Sequence, residues 1–165
     1  MEFIEKVKEK AQNRLMTIVL PEGTEERTLK AADAVTANGF AKVVLLGDPA
    51  QIRHLAKELF LENIGKVKIV DPMNNHDKQK YIDLMVKLRG DKGVTAEVAS
   101  KQLEDPLYLG AVMVKAGDAD GEVAGAGNAT GDVLRPAFQY VKTAPGMKTV
   151  SGAFIMNIPK YLFGA

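Results

Sequence analysis

The stretch Gly125-Ala-Gly-Asn-Ala-Thr-Gly-Asp132, followed by Val133-Leu-Arg135-Pro136, gathers the residue types that handle anions. Glycines let a backbone approach a ligand closely, and unpaired amides at a helix start attract negative charge. Arg135 adds a planar guanidinium able to clamp a phosphate with two parallel hydrogen bonds, and Thr130 adds a hydroxyl beside it. On residue types alone two readings stand: a site for a phosphate-bearing small molecule, or a surface turn with a solvent-facing arginine. The rest of the sequence favours the first.

Other chemistries find less support. No Gly-x-x-x-x-Gly-Lys-Ser/Thr motif is present, which disfavours a P-loop enzyme. Gly125-Ala-Gly127 opens like a dinucleotide fingerprint, but Gly131 falls one position late and far from the first strand. Thr130, Ser151, Asp132 and Arg135 make no nucleophilic triad, since no histidine lies near them in sequence. Ser151 reads as a strand-end residue able to donate a hydrogen bond. Asp118 and Asp120, within Gly117-Asp-Ala-Asp-Gly121, can touch a metal, but aspartates in such a segment are ordinary turn formers. Arg89, before Gly90, suits either a remote phosphate or the favourable closing charge of a helix. His54 and His76 sit in separate polar segments, so no metal centre is expected.

Composition narrows the partners. A net charge of +1 with interspersed signs, six Phe and no Trp offer neither a basic stripe nor a stacking platform, so nucleic acid is not an expected partner. The absence of cysteine removes disulfides and thiolate catalysis and fits a reducing compartment. No apolar run reaches membrane-spanning length and no cleavable leader pattern is visible, so no membrane association is expected and the cytoplasm is the expected location.

The elements that must position these residues follow from periodicity. Residues 2–12 read as a charged amphipathic helix with Phe3, Ile4, Val7 and Ala11 on its sparse apolar face. Met16–Leu20 reads as a buried strand ending at Pro21-Glu-Gly23, and Thr24 is the expected cap of a helix that Asn38-Gly39 terminates. Lys42–Leu46 is a second strand, after which Asp48 and Pro49 suit N-cap and N1 of the next helix. Val67–Val70 is a third, and helical patterning resumes near Asp77 with Tyr81, Leu84, Met85 and Leu88 on one side.

Three short strands alternating with helices at a spacing of about 25 residues predict an α/β fold: a three-layer, mostly parallel sheet covered by helices. Beyond Arg89-Gly90 the spacing predicts a short helix capped by Thr95, a helix opened by Pro106, and a short strand entering the glycine segment at Glu122. A helix is expected to begin near 134–136, with Pro136 in its first turn, and to run to Val141. A strand is expected over Lys148–Ala153. In such a sheet the loops beyond the strand carboxyl ends line the ligand crevice, which brings residues 22–24, 47–49 and 125–130 together. Phe154–Met156 and Tyr161–Phe163 are apolar and expected to seek burial in this chain's core or against a partner.

Taken in order, Asp105-Pro, Val114–Gly121, Gly125-Ala, Thr130–Pro136, Lys142–Gly146 and Ser151–Met156 resemble the phosphate acetyltransferase family, as do Pro21–Gly23 and Gly47–Pro49. The resemblance covers essentially all of this chain and the first half of a typical member; phosphate butyryltransferases share the fold. It implies two α/β domains with a cleft between them, with residues 1–147 the opening part of the first domain and 148–165 the entry into the second.

The implied reaction is reversible acyl transfer between acetyl phosphate and coenzyme A, giving acetyl-CoA and phosphate, by direct attack of the CoA thiolate. CoA and acetyl-CoA are then substrates, and no permanently bound cofactor is implied. The resemblance assigns Arg135 and Thr130 to the catalytic phosphate side of the cleft and Arg89 to CoA, with Asn128, Gly127 and Ser151 as further substrate-side positions. Many relatives carry His-x-Thr where this chain has Asn128-Ala-Thr130, and Asn128 keeps hydrogen bonding without becoming an imidazolium. The family's serine–arginine cluster and the aspartate assigned to deprotonate CoA lie in the other half. The resemblance therefore implies an inactive isolated chain, and a homodimer or a complementing C-terminal half as partner. The alternative is a CoA- or phosphate-binding half-subunit without catalysis.

Overall fold

The computed structural model describes residues 3–156 of the 165. In chain order it contains α1 (Phe3–Asn13), β1 (Thr17–Leu20), α2 (Glu26–Ala37), β2 (Lys42–Leu46), α3 (Pro49–Glu58), β3 (Lys68–Val70) and α4 (Lys78–Arg89). Then come α5 (Ala96–Gln102), α6 (Pro106–Ala116), β4 (Gly121–Glu122) and α7 (Thr130–Pro136). The strands form one sheet in the order β3-β2-β1-β4 with every pairing parallel.

The alternation of β2 shows why the sheet must be covered twice. Val43 and Leu45 pack with Leu29, Ala32, Ile52 and Ala56 from α2 and α3. Val44 and Leu46 pack on the other face with Tyr81, Met85, Leu109 and Val112 from α4 and α6. A strand buried on both faces reads as a continuous apolar run, as Val43–Leu46 does. The expected three-layer α/β arrangement is present.

Local chemistry sets the helix boundaries. Asp48 accepts from the amides of Ala50 and Gln51 with Pro49 at the first turn, and Asp105 accepts from Leu107 with Pro106 following. Thr95 accepts from Val98. The cap expected at Thr24 belongs instead to Glu25, whose carboxylate reaches the Thr28 amide at 2.8 Å. The helix starts at Glu26, one residue later than a Thr24 cap requires, so Glu25 takes the cap position and the N3 amide.

Two further expectations are corrected near the C-terminal side. Pro136 does not open a helix: α7 starts at Thr130, and Pro136 is its last residue. There the helix widens into a π turn over Ala137–Val141, closed by the Lys142 amide donating to Ala137 O. Pro136 thus closes the regular α turns, and the π turn follows it directly. Lys148–Ala153 forms no strand; its β-compatible residues have no ladder partner among the described residues. Phe154, Ile155 and Met156 are exposed, while Tyr161–Phe163 lie outside the described residues. The apolar side of α1 is likewise uncovered, with Phe3 and Val7 exposed.

Candidate active site

The carboxyl ends of the strands meet as expected. Gly23 donates to Leu46 O and Gly47 donates to Val70 O, which stitches the β1 and β2 exits to their neighbours. The glycine segment follows β4 and folds back over the end of β1. Gly125 has φ +109°, a conformation that a side chain would strain.

The first four amides of that segment, Gly125 to Asn128, are already occupied. Glu22 Oε2 accepts from Gly125 N at 2.9 Å and Ala126 N at 2.8 Å. Its Oε1 accepts from Gly127 N at 2.7 Å, Asn128 N at 2.9 Å and Asn128 Nδ2 at 2.8 Å. Burial alone would push the Glu22 carboxyl up, but donors from Gly127, Ala126, Asn128 and Gly125 hold it below its ordinary value. Arg27 grips the same loop from the other side, its Nη2 donating to Ala126 O while its Nε donates to Glu25 at 2.7 Å. An internal carboxylate thus fills the anion nest that the sequence offers to a ligand phosphate. Gly127 and Asn128, read as substrate-side residues, are directed at Glu22.

Thr130 and Arg135 lie on α7, the element that this loop leads into, and both are exposed. Arg135 is paired only loosely, with Asp132 at 3.8 Å, so its guanidinium is available to an anion. Arg89 is not extended into solvent. It lies 5.8 Å from the centre of the Tyr140 ring, its Nη1 donates to Gln139 O at 3.4 Å, and its buried Nε has no partner. It therefore braces the π turn that continues the Arg135 helix. Ser151 is exposed in an irregular segment, not at a strand end. The structure groups Gly127, Asn128, Thr130 and Arg135 on one loop and helix, with Arg89 against the turn that follows.

Sequence reasoning missed Glu122. Its Oε1 is buried with no hydrogen-bond partner, and its carboxyl is pushed up to about 7 by burial and by the charges of Asp105 and Glu22. It borders a cavity of about 450 Å³ that is lined chiefly by Val114, Ala124, Leu134, Phe138 and Val141. A single acid in a two-residue strand gives no periodic signal, so this one was visible only as a letter. Glu22 had a signal: a carboxylate at a strand exit and a glycine-rich loop of unpaired amides are complementary.

Asp118, Asp120 and His54 have partners elsewhere in the fold. Asp118 accepts from Lys80 and Tyr81, Asp120 accepts from Thr17 N at 2.8 Å, and His54 lies 3.5 Å from Glu58. No group of three or more ligating side chains able to hold a metal occurs among the described residues. No helix there is long and apolar enough to cross a membrane.

A parallel sheet with helices on both faces and an arginine-bearing loop–helix at its carboxyl edge defines an α/β protein of the class that binds ligands beyond the strand ends. The chain belongs to the phosphate acetyl/butaryl transferase family, whose model matches residues 2–164. A phosphate acetyltransferase of Thermoanaerobacterium thermosaccharolyticum is 49% identical over 164 residues, covering 99% of this chain and 49% of that protein. One from Escherichia coli is 43% identical over 149 residues, covering 89% of this chain and 21% of that protein. A phosphotransacetylase from Streptococcus pyogenes superposes with TM-score 0.85 at 35% identity, covering 90% of this chain and 46% of that one. The chain thus spans about half, or less, of the length of these relatives.

Proposed function

We propose that this chain supplies the phosphate and CoA side of a phosphate acetyltransferase cleft. The reading is carried by its 49% identity over 164 residues to a phosphate acetyltransferase. The loosely paired Arg135 beyond the glycine loop supports it. In the reaction the CoA sulfur attacks the acyl carbon of acetyl phosphate, a C–S bond forms, and the C–O bond to phosphate breaks. Phosphate departs with the bridging oxygen and the electron pair.

Arg135 meets the charge that gathers on the leaving phosphate, and Thr130 donates beside it; such preorganised donors act most strongly where charge develops. Arg89 serves CoA by leaving, or reaching past, the Tyr140 face. Ser151 acts on the substrate side once its segment is packed. The proposal extends to acetate metabolism in the cytoplasm and to a homodimer or a complementing C-terminal half that supplies the base.

A second reading is a CoA- or phosphate-binding half without catalysis, for which the exposed, loosely paired Arg135 suffices. Thioester formation from acetyl phosphate and CoA by the purified chain, with its intact mass verified, separates the two. Turnover by the chain alone shows that this half assembles a working cleft. CoA or phosphate binding without turnover supports the binding half, and absence of both removes the two readings for the isolated chain. Butyryl phosphate in parallel decides the acyl preference.

A further inference from the structure

Glu22 stands out among the charged groups at the sheet's carboxyl edge because it has no ligand-facing task in the reaction, yet it makes more contacts than any of the assigned residues. One carboxylate accepts from four consecutive main-chain amides, Gly125 to Asn128, and from the Asn128 side chain, all within 2.7–2.9 Å. It sits two residues beyond β1, and the loop it holds otherwise carries a left-handed glycine and few side chains able to pack. Arg27, at the start of α2, takes the carbonyl of Ala126 within the same run. Two residues later the same chain becomes α7, with Thr130 and Arg135.

We propose that Glu22 is a positioning residue: by filling the anion nest of the glycine loop it fixes that loop, and so sets Thr130 and Arg135 against the phosphoryl group of the substrate. The proposal rests on the functional reading above. It carries a corollary about the phosphate itself. With the amides of Gly125–Asn128 engaged by Glu22, those four are withdrawn from the substrate anion, which is received by the arginine and threonine beyond. A site whose donors are held by neighbouring rigid elements loses little order on binding, which is where such a clasp acts.

The test uses the chain with Glu22→Ala, titrated with inorganic phosphate and followed by NMR at the Thr130 amide and the Arg135 Nε–H, alongside amide hydrogen exchange at Gly125–Asn128. In the unsubstituted chain phosphate is expected to move the Thr130 and Arg135 signals and leave the four loop amides unmoved. In Glu22→Ala exchange at the four amides should accelerate by about tenfold or more, phosphate should now move those amides, and its affinity at Arg135 should fall by about tenfold. Added formate, a carboxylate small enough for the vacated space, should restore both protection and the Arg135 response. Lost loop protection with an unchanged Arg135 response to phosphate would mark Glu22 as merely structural.

Unchanged phosphate affinity at Arg135 in Glu22→Ala, or failure of formate to restore it, overturns the proposal. If phosphate moves neither Thr130 nor Arg135 in the unsubstituted chain, the functional reading itself fails and the proposal with it, before any variant is compared. Should Glu22→Ala not fold, Glu22→Gln carries the same comparison, because it keeps the shape and turns one acceptor into a donor facing the amides.

Discussion

Glu122 occupies the space that a side chain at position 110 would need: a Cβ built on Gly110 would stand 2.5 Å from Glu122 Oε1 and 3.3 Å from Val19 Cγ1. Gly110 is a buried residue in the middle of α6, where glycine is ordinarily unfavourable, and β4 runs close beneath it. The helix gives up intrinsic stability so that a carboxyl can lie between it and the sheet.

Gly110→Ala is therefore expected to destabilise the fold, by about 1–3 kcal/mol, because overpacking at a buried site must displace the carboxyl or the helix. In a Glu122→Ala background the same change should become neutral or stabilise by up to about 1 kcal/mol, the propensity gain of alanine over glycine. Urea unfolding of the four proteins of this cycle measures the coupling. Equal effects of Gly110→Ala in both backgrounds would show that the two residues do not compete for the space.

The buried position of Glu122 also predicts a pH dependence. Its carboxyl is raised in the folded state from an ordinary 4.5 to about 7, so between those values the folded chain holds a proton that the unfolded chain has released. Stability should therefore fall as pH rises through this window and level off above it, by up to about 3 kcal/mol in total. Glu122→Gln should flatten the slope and be the more stable protein at pH 8. Thermal unfolding midpoints of the two proteins at pH 5 and pH 8 give the comparison.

Asp118 should behave with the opposite sign. Burial pushes its carboxyl up, but hydrogen bonds from Lys80 and Tyr81 outweigh this and hold it below 3.8. Its contribution is present above the ordinary carboxylate range and is lost as pH falls through the folded value. Tyr81 is buried and donates to Asp118 at 2.9 Å, whereas the Lys80 pair is exposed and worth little. Asp118→Ala should cost about 1–2 kcal/mol at neutral pH, mostly through Tyr81, and Tyr81→Phe should reproduce much of it. Denaturant titrations of both variants check the partition.

The two arginines should separate in kinetics once the catalytic protein is assembled. Arg135→Gln should depress turnover by about 10²-fold, the usual scale for losing one donor to developing charge, with Arg135→Lys recovering little of it. Arg89→Gln should mainly raise the CoA concentration needed for half-maximal rate. It should also lower stability by about 0.5–1 kcal/mol through the lost Tyr140 contact. Identical kinetic phenotypes for the two variants would contradict the division of roles.

What the sequence made legible was whatever its local rules control. Val43–Leu46 announces a doubly covered strand, and Asp48-Pro49, Thr95 and Asp105-Pro106 announce helix starts because a cap acts over only three residues. Thr24 misled because the helix begins one residue later than a Thr24 cap requires, so the cap position and the Thr28 amide fall to Glu25. Lys148–Ala153 misled because strand propensity needs a partner, and the chain alone does not reveal whether one is adjacent. The anion loop was legible as a nest of amides but not as a filled one: residues 22 and 125 meet only through the β1–β4 pairing. Glu122 was illegible for the same reason, since its partner across the gap is an absence of side chain at Gly110.

The π turn over Ala137–Val141 amounts to one surplus residue wound into a helix. Its turn places Tyr140 so that the hydroxyl donates to Gln102 Oε1 at 2.8 Å, the ring meets Tyr108 edge-on and its other side receives Arg89. Excising a single residue there would let the coil revert to α geometry and rotate everything downstream by roughly a quarter turn or slightly more. The direction in which the chain leaves its first layer of helices is thus stored in the count of residues between Pro136 and Lys142, a property that no substitution reads and that one deletion would erase.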